Sequence, residues 1–286
     1  MKKTITYHKP PLNLEIQQKL TKWLVELQNT RNINVETIIS VPFLANAGET
    51  QAYLLTAEQD GKWTAVAVVT DILQNGHIEV GFGCENAEAG SFLIEAVLSQ
   101  YLSHKPKSIS FVLDQKAVLE KELLLHTGAH YQMSEAQMKL ENIALLSAVD
   151  EIKLHAYQET DYYHVLSILM KSFGDTEEDA AAVIHLSLDD PKRTFYTIRA
   201  SGVIVGTINL IRAEQAMVTA LAIHPEWQHQ GIGSQALTKA LRMLLEEGYT
   251  SVYLDVEIEN EKALHVYERV GFQVLHVFDF YRIDPS

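Results

Sequence analysis

A chain that carries one layout twice can fold only in ways that suit both copies, so its internal repeat is the tightest constraint on it. Sliding the C-terminal half onto the N-terminal half by 143 positions lays "AGSFLIEAVLSQYL" (89–102) on "IGSQALTKALRMLL" (232–245), and "SISFVL" (108–113) on "SVYLDV" (251–256). The register runs without a gap to "TGAHYQ" (127–132) on "VGFQVL" (270–275), with Gly90 opposite Gly233 and Gly128 opposite Gly271. A length of 286 residues has room for two domains of about 140. We therefore expect two similar domains, 1–145 and 146–286, joined near residues 142–150.

Each copy has the same coarse plan: strands, a glycine turn, an amphipathic helix, a strand, a short helix and closing strands. In the second copy the spacing predicts a helix over 234–247, with Ala236, Leu237, Ala240, Leu241, Leu244 and Leu245 on one stripe. Residues 251–258 alternate as a strand does, placing Val252, Leu254, Val256 and Ile258 on one face. Residues 260–272 read as a short helix opened by an N-cap asparagine and closed by a glycine. The stretch 194–211 reads as a hairpin turning at Ser201-Gly202. These elements imply an α/β (α+β) fold: two tandem domains, each a mixed, mainly antiparallel sheet flanked by helices.

The stretch "WQHQGIGSQAL" (227–237) carries two glycines, one residue apart, where that helix begins. Leu221-Ala222-Ile223 ends a strand and His224-Pro225 breaks it. A strand, a glycine turn and a helix N-terminus together make an anion site, because the first helical N–H groups lack partners and the macrodipole favours negative charge. Gly231 and Gly233 remove side chains that would hold a phosphate away from those amides. The turn is neither a Walker loop nor the dinucleotide G-x-G-x-x-G. Taken alone, it could equally be a plain turn.

The surroundings narrow the choice. "LAIHPEWQHQGIGSQAL" resembles the acyl-CoA signature Q/R-x-x-G-x-G/A of the GNAT superfamily of N-acyltransferases, with Gln228, Gly231 and Gly233 in its positions. "LDVEIENEKALHVYERVGF" (254–272) resembles that superfamily's second motif, its residues falling on Asn260, Ala263, Tyr267, Gly271 and Phe272. The resemblance covers about 150–286, with the motifs in the right order. It implies a GNAT-like fold and acetyl-CoA as cosubstrate. Backbone at Leu221, Ala222 and Ile223 would pair with the pantetheine as with an added strand. Amides along Gln228, His229, Gln230, Gly231, Ile232, Gly233 and Ser234 would hold the pyrophosphate. Asn260 would bond the pantetheine arm, and Tyr267 would protonate the departing thiolate. Without the motif, Tyr267 reads as a helix tyrosine packed on a sheet.

The first copy departs from this pattern. Glu88 stands opposite Gly231, Ala117 opposite Asn260 and Leu124 opposite Tyr267, and the offset from the preceding strand falls to about 140. A carboxylate beside a pyrophosphate repels it. We expect a degenerate N-terminal domain without an intact CoA site.

The acceptor is less legible. The formal charge of −14 argues against nucleic acid and anionic membrane as partners. Residues 1–145 carry a net −4 and residues 146–286 a net −10, part of it in 173–191 at Asp175, Glu177, Glu178, Asp179, Asp189 and Asp190. An acidic rim there would attract a cationic amine, although a solvated helix face would look the same. Glu214, Asp255, Glu257 and Glu259 are candidate bases, none distinguished. His224 and His229 flank the turn and could meet phosphate oxygens, although loop histidines without that role are commoner, and Trp227 is expected to pack beside the turn. No spacing among the 12 histidines and Cys84 suggests a metal site. Cys84, the lone cysteine, reads as a buried small apolar residue in a chain without internal disulfides, which fits the cytoplasm. No stretch approaches the ~20 apolar residues of a membrane span, and no apolar run follows the basic start as in a secretory signal. The leading expectation is an N-acetyltransferase moving acetyl from acetyl-CoA to a small-molecule or peptide amine in a ternary complex. The alternatives are a non-catalytic acyl-CoA-binding regulator and a tandem transferase using aminoacyl-tRNA.

Overall fold

The computed structural model describes residues 3–46, 52–70, 76–141 and 152–284. The first repeat runs β1 (Lys3–His8), α1 (Leu14–Arg31), α2 (Val41–Asn46), β2 (Ala52–Gln59), β3 (Lys62–Thr70), β4 (His77–Cys84), α3 (Ala87–Tyr101), β5 (Ser108–Asp114), α4 (Val118–His126) and β6 (His130–Leu140). The second runs β7 (Ile152–Ala156), α5 (Tyr162–Phe173), α6 (Glu177–Asp189), β8 (Arg193–Ala200), β9 (Val203–Arg212), β10 (Ala216–Ile223), α7 (Ile232–Glu246), β11 (Val252–Glu257), α8 (Glu261–Val270) and β12 (Phe272–Ile283). Helices and strands follow in the same order both times, so the repeat seen in sequence is a repeat of structure.

The compact units cut across the repeat near its end. One comprises Met1–Glu135 with His276–Ser286, the other Ala136–Leu275. In the first unit the strands lie in the order β1-β2-β3-β4-β5-β12, and in the second β6-β11-β10-β9-β8-β7. Each unit's row of strands thus ends on the last strand of the other repeat. β6 and β12 hold the same place in the repeat, so either suits either slot and sequence similarity cannot say which is used. The expected boundary between 145 and 146, and the junction at 142–150, lie outside the described residues. Pairs β4/β5 and β10/β11 are parallel, and the flanking pairs β2/β3, β3/β4, β8/β9 and β9/β10 antiparallel.

Local chemistry sets the elements of the second unit. Ser201 and Gly202 take φ values of 50° and 84°, the left-handed pair that a tight hairpin turn needs. The α7 stripe buries Ala236, Leu237, Ala240, Leu241 and Leu244, while Leu245 is half-buried. Asn260 caps α8, its side chain accepting from the Ala263 amide at 3.1 Å, and Gly271 ends it at φ 112°. Apolar residues of α5 and α6, including Val165, Leu169, Ala180 and Ile184, pack on Phe195 and Ala222 of the sheet.

The first unit buries an ion pair. Glu120 of α4 is wholly inaccessible, and its carboxylate meets Arg31 twice, at 2.6 and 2.9 Å. Arg31 also donates to the Cys84 carbonyl at 2.8 Å, and the Cys84 amide reaches Glu120 at 3.3 Å. Burial first, then the Glu120 charge, hold the Cys84 thiol far above its ordinary range, as an inert core residue requires. Removing one partner strands the other charge in the core. Glu120→Ala should therefore cost about 3–5 kcal/mol in urea unfolding, and Arg31→Met with Glu120→Leu should recover most of it.

Candidate active site

The site is built around a strand that parts from its neighbour. β10 and β11 are paired at Ala216–Val252 and Met217–Tyr253 only. The corresponding strands of the first unit, β4 and β5, stay paired from His77–Ser108 to Gly81–Val112. On its other edge β10 carries a bulge: the register with β9 shifts between Thr219 and Ala222, one residue of β10 being extra. Ala220 is pushed to φ 48°, and its carbonyl accepts from the Thr207 hydroxyl at 2.9 Å. Gly206 of β9 is the residue that lets the bulged backbone come so close. A Cβ there would run into the Ala222 carbonyl oxygen and, at 2.7 Å, into Ile223 Cδ1.

Beyond the bulge the chain turns tightly. The Ile223 carbonyl accepts from the Ser172 hydroxyl of α5 at 3.1 Å and from Gln228 Nε2 at 2.9 Å. The His224 amide bonds the Val205 carbonyl at 2.9 Å, and Pro225–Trp227 form one 3-10 turn with Trp227 half-buried. His229 and Gly231 take left-handed φ values of 62° and 76°. Gly231 is the N-cap of α7, and no side chain caps that end. The helix's own ladder begins with the Gln235 amide on the Gly231 carbonyl at 3.0 Å. The first-turn amides of Ile232, Gly233 and Ser234 precede that ladder and have no partner within the helix.

Helix α3 makes the contrast. Its N-cap Asn86 accepts from the Ala89 amide at 3.0 Å, and Glu88 in its first turn is held by Lys3 at 2.6 Å. The matched glycines also differ. A Cβ on Gly90 would meet Leu123 at 2.5 Å and Cys84 Sγ at 2.8 Å, whereas one on Gly233 meets Ile223 Cγ1 at an ordinary 3.6 Å. Gly90 serves close packing, and Gly233 keeps a surface clear.

Helix α8, which packs with α7, carries the second motif. Asn260, exposed, spends its Oδ1 on the α8 cap and keeps its amide group. Tyr267 is half-buried against the Phe272 ring, centroids 6.2 Å apart at 64°. Burial pushes its phenol up to about 12. Among the candidate bases, Glu214 sits before the start of β10, about 30 Å of chain from Ile223, too far to act with the turn. Asp255 of β11 is raised by desolvation, offset in part by a hydrogen bond from Gln137. Asp175, in the link between α5 and α6, is raised by burial and then by the charges of Asp179 and Glu257. That coupling sets Asp175 among acids of α6 and β11, which its sequence neighbourhood does not reveal. Ser172, Thr207 and Gly206 carry no motif and were likewise silent in the sequence. Among the described residues no cluster of His, Cys, Asp and Glu could hold a metal ion, and no helix is long and apolar enough to cross a membrane.

The strand, turn and helix match a family model described as Acetyltransferase (GNAT) family over residues 157–272. This segment is similar to the GNAT acetyltransferases, a family of acyl-CoA-dependent N-acyltransferases. Solved structures show the same fold across the whole chain. A GCN5-related N-acetyltransferase from Sphaerobacter thermophilus is similar at 16% identity and TM-score 0.74, covering 99% of this chain and 96% of that one. A tandem GNAT protein from the clavulanic acid biosynthesis pathway is similar at 13% identity and TM-score 0.64, covering 99% of both. A GNAT-family acetyltransferase from Colwellia psychrerythraea is similar at 12% identity and TM-score 0.58, covering 97% and 99%. The tandem GNAT-like architecture read from the repeat is therefore the fold of this chain.

Within this segment, Gly206 is the test of the bulge. Gly206→Ala should lower stability by about 1–3 kcal/mol, read from the urea midpoint, because the backbone of β10 has to move. Gly233→Ala should be tolerated, since its new methyl finds ordinary contact.

Proposed function

We propose that this chain is an acetyl-CoA-dependent N-acetyltransferase in which a primary amine attacks the thioester directly in a ternary complex. The observation that carries the reading is the open edge of β10 leading to the uncapped start of α7. An extended pantetheine arm adds to that edge as a strand would. With the Ile223 carbonyl already bonded to Ser172 and Gln228, the pairing falls on Leu221 and on the amide of Ile223, with Ala222 turned into the core. Amides of Gly231, Ile232, Gly233 and Ser234 take the pyrophosphate, and the backbone of Gln228, His229 and Gln230 forms its outer wall. The Asn260 amide group bonds the arm further in.

In the reaction the amine nitrogen bonds to the acyl carbon, the carbon–sulfur bond breaks and the thiolate leaves. Tyr267 stays protonated at neutral pH, its phenol lying near 12. Full proton transfer to a thiolate whose thiol has a pKa of ~8.5 would be uphill by roughly 5 kcal/mol. Tyr267 therefore steadies the leaving sulfur by a hydrogen bond rather than by giving up its proton. The proton from the acceptor's ammonium passes to a carboxylate, for which Asp175 is the best candidate because burial and like charges raise its affinity for a proton. The same acids, with Glu257 and Asp179, favour a cationic acceptor. The first copy is a closed counterpart: its helix α3 is self-capped, and Arg31 and Glu120 satisfy each other.

Calorimetric titration of acetyl-CoA should find one site per chain, lost in Gly231→Glu, which copies Glu88 into the second turn. Two sites per chain would sink the closed-counterpart reading, and no binding at all would sink the transferase. With an amine acceptor in hand, Tyr267→Phe should lower kcat by about 10²-fold with little change in KM for acetyl-CoA. The alkaline fall in kcat due to Tyr267 should centre near pH 12, since the protonated phenol is the active form. A regulator that only binds acetyl-CoA would show neither effect.

A further inference from the structure

We infer that Lys171 and His224 form a phosphate subsite beside the turn, a role that neither motif assigns; it rests on the acetyl-CoA reading above. Lys171 lies in the last turn of α5, and its Nζ stands 3.1 Å from His224 Nε2. On the other side of the same ring, the Glu226 amide stands 3.3 Å from Nδ1. A neutral imidazole has one lone pair, and a protonated one has none. Two donors therefore converge on a ring that can accept from only one of them. The contact becomes favourable when an anion takes the hydrogen bond the ring cannot. Glu226 does not supply it, since its carboxylate lies 4.0 Å from Nδ1 with its side chain 82% exposed. Among the described residues no carboxylate stands within ion-pair distance of Lys171.

The place suits a ligand. The two residues line an open cleft of about 370 Å³ together with Tyr163, Ser167 and Trp227. Ser172, next to Lys171, bonds the Ile223 carbonyl, so the end of α5 is fixed to the strand end from which the turn departs. His224 is the first residue of that turn.

The first unit also holds a cation in the last turn of its first helix, with its anion in place. Arg31 occupies the last turn of α1 and is met by the carboxylate of Glu120, the third residue of α4. The third residue of α8 is Ala263. One copy keeps cation and carboxylate, and the other keeps a cation and lacks the carboxylate. The anion in the second copy then comes with the ligand, and because His224 opens the turn that leads to the uncapped start of α7, that anion is a phosphate of the donor.

Titration of acetyl-CoA and of its 3′-dephospho form into wild type, Lys171→Met and Lys171→Arg tests this. The methionine variant should bind acetyl-CoA at least about 10-fold more weakly, as loss of a charge-assisted hydrogen bond implies. Its ligand-free melting temperature should be unchanged, and the arginine variant should recover most of the affinity. Weakening toward both compounds assigns the pyrophosphate to Lys171, and weakening toward acetyl-CoA alone assigns the 3′-phosphate. Wild-type affinity for both compounds in Lys171→Met overturns the subsite and leaves the donor reading standing. An arginine variant as weak as the methionine one also overturns it. Failure of the wild type to bind either compound overturns both readings.

Discussion

The parting of β10 from β11 is the constraint on which the rest of the second unit depends. Backbone N–H and C=O groups must find partners, so a strand that leaves its neighbour before its own end creates a demand. Part of that demand is met from within. Thr207 takes the carbonyl freed at the bulge, and Ser172 and Gln228 share the carbonyl at the strand end. Gly206 is the condition for these repairs, because any side chain there would push the bulge away. What remains unmet lies on the β10 edge that has left β11, and the chain runs from there to a helix start that no side chain caps.

The repeat shows that this opening is a choice rather than a limit of the fold. The first unit builds the same strand, turn and helix and removes each element of the demand. Its parallel pair continues to Gly81–Val112, Asn86 caps α3, and Glu120 delivers a carboxylate to Arg31 in the core. A buried pair of this kind is weak evidence for added stability against an apolar alternative. It is strong evidence of satisfaction: among the described residues, the buried carboxylates of Asp114, Glu120 and Asp279 each find a partner. Two copies with one topology thus differ in whether polar groups close on one another or wait for a ligand.

Much of this was legible in the sequence because it rests on local chemistry. Asn260, Gly271, Gly231 and the Ser201-Gly202 pair each act within a few residues of themselves, through a cap or a left-handed φ. The α7 stripe followed from spacing alone. The bulge at Ala220 did not, since it depends on Gly206 and Thr207 from another strand. Nor did the exchange of β6 and β12, whose equal places in the repeat make either closing strand acceptable. Asp175 looked like one more acid before a helix start, and only its nearness to Glu257 of β11 separates it. Lys171 and His224 are 53 positions apart and joined by nothing but the fold.

The environment of Tyr267 bears on how a site of this kind divides its work. A tyrosine packed against Phe272 in a half-buried position is held in one orientation, which favours a hydrogen bond of fixed direction. The same burial makes the phenol a poorer acid, so orientation and acidity pull apart. A leaving thiolate needs little help from an acid, because its conjugate thiol is itself of low pKa compared with an alcohol. Fixed hydrogen bonding is then the more useful property, and losing acidity costs the reaction little. The harder proton is the one on the acceptor's ammonium, which must leave before the nitrogen can attack. A carboxylate with raised proton affinity among other acids meets that need twice over, by drawing the cation in and by accepting its proton. In the proposed reaction the sulfur end is thus assigned to a motif residue, and the nitrogen end to the loop between α5 and α6.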